Sequence, residues 1–137
     1  TQRLLADAQA LAQLLKKALD DTPSPDAMAL RGQASSAIDR LRDIGIRLNG
    51  DPEIRRHEEP TPPSIADRVE RMVGGSFVST SAPTVTQQRA YEIGSGSLTR
   101  LLAELRGVLD ALRQVSEQAE ASGAPWTPGR IPEWKQP

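Results

Sequence analysis

Apolar residues recur along this chain at steps of three and four, the spacing that lines one face of an α-helix. From the N-terminus they fall at Leu4, Ala8, Leu11, Leu15 and Ala18, flanked by Leu5, Ala12 and Leu19. Asp20-Asp21 and then Thr22-Pro23-Ser24-Pro25 predict the end of this first helix, since proline cannot continue the hydrogen-bond ladder. Ser24 as N-cap, with Pro25 in the first helical position, predicts the start of a second. Its seam is Leu30, Ala34, Ala37, Leu41, Ile44 and Leu48, with Ile38 beside it, and Asn49-Gly50 offers a left-handed stop. The pair reads as a helical hairpin.

The pattern then breaks. Asp51 to Pro63 combines four prolines with clustered charges and predicts an irregular crossing loop. Ser64 and Asp67 form a capping-box pattern for a short third helix carrying Ile65, Val69, Met72 and Val73, with Gly74-Gly75 as its predicted end. A hydroxyl-rich link from Ser76 to Pro83 follows, with Phe77 and Val78 as expected anchors on the core. Thr84 and Gln87 form a second capping-box pair. Behind them Tyr91, Gly94, Leu98, Leu101, Leu105, Val108, Leu112, Val115 and Ala119 keep heptad spacing, widened by Leu102 and Leu109, and predict a long fourth helix to about Ser122. Gly94 and Gly96 interrupt its propensity. Either they permit close approach of another helix, the preferred reading, or they mark a kink.

The predicted fold is therefore all-α: a four-helix, bundle-like domain over residues 1–122, made of a helical hairpin, a short third helix and a long fourth helix. Residues 123–137 form a Pro/Gly-rich C-terminal tail that cannot be helical yet carries two of the four aromatic residues, Trp126 and Trp134. Exposed indole rings are costly apolar surface, so the tail is expected to pack on the bundle or on a neighbour.

Composition narrows the function. Seventeen basic and eighteen acidic residues leave a formal charge of −1, which removes the basic footprint of a nucleic-acid binder. Eight arginines between Arg31 and Arg71 are matched by eight interspersed carboxylates, the mark of a mixed solvated surface. Without cysteine there is neither a disulfide framework nor a thiolate metal site. No apolar run is long enough for a membrane span, and no signal-peptide pattern is present. The chain opens on Thr1 inside a helical pattern, which reads as a trimmed end.

Catalytic constellations are hard to assemble. His57, the single histidine, sits in Arg55-Arg56-His57-Glu58-Glu59-Pro60, without the second histidine of a helical zinc motif. Ser76, Ser79, Thr80 and Ser81 lack a nearby base and a nucleophile elbow. Gly94-Ser95-Gly96-Ser97 lacks the lysine of a phosphate loop. The expectation is a non-enzyme with no cofactor and no metal. Candidate interaction residues are Pro60, Pro62 and Pro63 of the crossing loop, with Trp126, Arg130 and Trp134 of the tail.

Four strings carry a resemblance: Asn49-Gly-Asp-Pro52, Glu58-Glu-Pro-Thr-Pro-Pro-Ser-Ile-Ala-Asp-Arg-Val69, Val73-Gly-Gly-Ser-Phe-Val-Ser-Thr-Ser-Ala-Pro-Thr84 and Gly123-Ala-Pro-Trp-Thr-Pro-Gly-Arg-Ile-Pro-Glu-Trp134. Together they resemble the C-terminal helical region of bacterial sortilin-like, BNR-repeat (sialidase-like) β-propeller proteins. The resemblance implies an exported protein, extracellular or in the cell envelope, whose propeller holds any ligand surface. Its partners would be a β-propeller domain of the same or a parent chain, or a second copy of itself. Two other readings stay open: a receptor-like peptide- or protein-binding module, and an accessory fragment of an exported glycoside-hydrolase-like enzyme.

Overall fold

A computed structural model describes residues 1–57, 60–78 (backbone only from 75) and 84–124. Over these residues the fold is all-α, with five helices: α1 (Gln2–Asp20), α2 (Pro25–Asn49), α3 (Pro52–Arg56), α4 (Ile65–Val78) and α5 (Val85–Ala121). They assort into two compact units. Among the described residues, the first holds Thr1–Gln2 and those from Arg42 to Leu105; the second holds Arg3–Leu41 and those from Arg106 onward. Both α2 and α5 thus contribute residues to each.

The helix ends follow local chemistry. Gly50 has φ +88° and donates its N–H to Ile46 O at 2.7 Å, an αL cap on α2. Ser64 Oγ accepts from Asp67 N at 3.1 Å, while Asp67 Oδ2 accepts from Ser64 N at 2.8 Å. Thr84 and Gln87 repeat this reciprocal box at the start of α5. At the far end of α5, Gly123 (φ +80°) donates to Glu120 O and Ala124 N donates to Ala119 O at 2.9 Å, the two bonds of a Schellman motif.

Two expectations are corrected here. The stretch from Asp51 to Pro63 is not wholly irregular: it contains α3, which makes the helices five rather than four. Asp51 caps α3 by accepting from Glu53 N at 2.9 Å, and Pro52 takes the first position, where its missing N–H costs nothing. The third predicted helix, now α4, also does not stop at Gly74-Gly75 but runs to Val78. A glycine ends a helix by adopting the left-handed conformation, and Gly74 does not adopt it. The expected anchoring by Phe77 and Val78 falls on side chains outside the described residues.

In the second unit, α1, the first part of α2 and the last part of α5 supply the core. From α2 come Leu30, Ala34, Ala37 and Leu41, and from α5 come Val108, Leu112, Val115 and Ala119, all buried at the predicted spacing, and Ala27 extends the α2 seam by one turn. In α1 the stripe is turned relative to expectation. Leu5, Ala8, Ala12, Leu15, Ala18 and Leu19 are buried, whereas Leu4 is 45% exposed and Leu11 half-buried. Both stripes share Ala8, Leu15 and Ala18. The inward one continues into the buried Thr22, whose hydroxyl donates to Ala18 O at 2.8 Å. Arg31 closes this end: its Nη2 donates to Leu19 O at 3.1 Å, placing a cation on the carbonyl end of α1. Its Nε lies 2.8 Å from Asp20 Oδ1 without hydrogen-bond alignment.

Among the described residues the first unit buries fewer apolar side chains. Ile44 and Leu48 of α2, Ile65 of α4, and Leu101 and Leu105 of α5 are its buried apolar side chains among the described residues, and α3 adds none. The heptad stripe of α5 is buried from Leu101 to Ala119, then opens toward the N-terminus: Leu98 is half-buried and Tyr91 is 58% exposed. Helix α5 continues through Gly94 and Gly96. A Cβ added at Gly94 would lie 3.8 Å from Arg68 Cβ, ordinary contact, and one at Gly96 would meet nothing within 4 Å. Gly94 therefore does face α4, but at a separation that does not require glycine.

Candidate functional site

The crossing between α2 and α4 shapes a cleft within the first unit. Because Gly50 turns the chain sharply and α3 spans only five residues, Ile54 is brought beside the last turn of α2 at Ile46. The chain then returns through Thr61, Pro62 and Pro63 to the cap of α4, and Ile93 and Leu101 of α5 complete the wall. The result is an open cleft of about 620 Å³ with a largely apolar lining.

Charged side chains frame it. Arg47 makes a bidentate pair with Glu104, one arm of which is Nη1 to Oε1 at 3.1 Å, and its Nε lies 3.0 Å from Asp43. The hydrogen bond from Glu104, followed by the nearby Asp43 and Glu104 charges, raises the guanidinium pKa against a partial desolvation penalty. Arg55 Nη2 meets Asp67 Oδ1 at 2.6 Å, and Arg56 pairs with Glu53 at 3.1 Å. Asp67 is held below the ordinary carboxylate range, first by the Ser64 hydroxyl, then by the Ser64 N–H, with Arg55 adding to them. Arg68 and Arg100 also line the cleft. Among the described residues neither has a carboxylate partner.

Of the sequence-predicted interaction residues, Pro62 and Pro63 line this cleft, while Pro60 is exposed outside it. Trp126, Arg130 and Trp134 lie outside the described residues. His57 is exposed at the end of α3, its N–H donating to Ile54 O. The cleft residues that sequence reasoning missed are Ile46, Ile54, Arg68, Ile93 and Arg100. The Asp51-Pro52-Glu53 cap was the available signal for α3, and hence for the placing of Ile54. Nothing local marked the two arginines.

A second feature adjoins these elements in sequence. On α4, Val69 and Val73 are one turn apart and 44% and 45% exposed. On the first turns of α5, Val85, Tyr91 and Ile93 are also exposed. Among the described residues no helix is long and apolar enough to cross a membrane, and no group of three or more His, Cys, Asp or Glu side chains is placed to hold a metal. No protein-family profile matches the chain, and no curated protein or solved structure matches it either.

Proposed function

We propose that this chain is a non-catalytic protein-interaction domain that docks on another domain or on a second copy of itself. The observation that carries the reading is the unburied apolar surface of the first unit: Val69 and Val73 on α4, Val85, Tyr91 and Ile93 on α5. Single exposed apolar residues are commonplace, but here five fall on two consecutive helical stretches whose own core is thin among the described residues. The heptad of α5 begins at Tyr91, which is left outside, and Leu98 is half-buried. A covering partner would complete the stripe. Docking on a β-propeller of an exported bacterial protein remains part of this proposal and rests on the four sequence strings alone.

Static light scattering over a concentration series tests it, with the chain alone and mixed with a propeller domain encoded in the same reading frame. The expected result is a mass above that of one chain in at least one setting. Val73→Asp should abolish that rise while leaving the thermal transition in place. A single-chain mass throughout would refute docking, and turnover of a glycoside substrate by the isolated chain would refute the non-catalytic part. The cleft favours a second reading, that the domain holds a peptide of a partner protein.

A further inference from the structure

We propose that the cleft of the first unit is a docking groove for an acidic, apolar peptide segment of a partner protein. The inference deepens the peptide-holding reading; the cleft shares Ile93 with the exposed residues, whereas Val69, Val73, Val85 and Tyr91 do not line it. Its floor is branched and aliphatic, with Ile46, Ile54, Ile65, Ile93 and Leu101. Such a floor accepts apolar side chains, and proline at Pro62 and Pro63 keeps one wall stiff.

Charge selects the occupant. Five arginines sit in or beside the cleft. Arg47, Arg55 and Arg56 are each satisfied by a carboxylate of this chain. Arg68 from α4 and Arg100 from α5 are the two without one among the described residues, and both line the cleft. Arg68 is half-buried, with its Cβ near the Gly94 backbone, so its stem is already packed before any ligand arrives. A planar guanidinium carried on such a stem is suited to a bidentate carboxylate. A nucleic acid fits less well: Glu104 and Asp51 share the lining, the lining has no aromatic side chain for base stacking among the described residues, and the whole chain carries −1.

The test selects a random dodecapeptide library displayed on phage against the whole chain, then titrates the synthetic consensus by fluorescence anisotropy. The expected consensus alternates Asp or Glu with branched apolar residues. Arg68→Glu with Arg100→Glu should weaken binding by about tenfold or more, and a peptide with lysine at the carboxylate positions should recover it on that variant. Arg68→Gln with Arg100→Gln serves if the reversal impairs folding, as checked by circular dichroism. No enrichment, binding unmoved by either pair, or tighter binding of a homopolymeric oligonucleotide would overturn the proposal. A neutral or basic consensus that still loses affinity on Ile54→Asp would overturn the acidic preference and leave the peptide-binding reading standing. The light-scattering result is independent of all these outcomes.

Discussion

Alanine at Gly94 and Gly96 probes the packing of α5 at the two places where its heptad is interrupted. A glycine inside a helix costs about 1 kcal/mol relative to alanine, mostly because the unfolded chain has more backbone freedom to lose. The gain from Gly→Ala is realised only where the new methyl group has room. At Gly96 it has open space, so the expected stabilisation is the propensity term alone, about 0.5–1 kcal/mol. At Gly94 the methyl would rest 3.8 Å from Arg68 Cβ, inside the attractive part of the contact, and the site is buried. The expected gain there is also about 0.5–1 kcal/mol, with no clash to offset it. The two positions point away from each other on the helix, so the double variant should gain roughly the sum. For a chain of this size each kcal/mol moves the midpoint by about 3–4 °C. Urea unfolding followed by far-ultraviolet circular dichroism measures the change at constant slope. A loss of about 1 kcal/mol or more for Gly94→Ala would refute the reasoning, because it would mean that α4 approaches α5 closely enough to exclude a methyl group.

Further substitutions separate other claims. Leu19→Ala, at a position with no exposure, should cost about 2–5 kcal/mol, whereas Leu4→Ala, 45% exposed, should cost less than about 1; the reverse order in urea unfolding would restore the Leu4–Leu11 stripe. Gly50→Ala should destabilise by about 1–2 kcal/mol, since φ is +88° and its Cβ would sit 3.0 Å from the Arg55 guanidinium; an unchanged midpoint would show that the αL cap is dispensable. Asp67 has a depressed folded-state pKa, so its stabilisation is present above the unfolded carboxylate value and is lost as pH falls through the folded one. Ser64→Ala removes the first cause of that shift and should flatten the fall in stability below about pH 4; an unaltered acid limb would count against the capping-box assignment. Glu104→Gln should cost less than about 1 kcal/mol because the pair with Arg47 is solvent-exposed, and added salt should shrink the difference.

Much of the fold was legible in the order of residues. The α2 seam from Leu30 to Leu48, the α5 seam from Leu101 to Ala119, both capping boxes and the stop at Gly50 all follow from the 3.6-residue repeat and from backbone groups that need partners nearby. These are local causes, and a local reading reaches them. Even α3 was within reach, because an Asp-Pro-Glu start is a local signal too. The tertiary structure decided the rest. In α1 two overlapping stripes share Ala8, Leu15 and Ala18, and only packing against other helices chose the one through Leu5 and Leu19. Likewise, the spacing of Val69, Val73 and Tyr91 announces an apolar face without saying whether this chain covers it. The cleft gathers Ile54, Pro63, Arg68 and Arg100 from four separate segments. Burial and charge pairing depend on what lies across space, and periodicity along a helix carries no record of that.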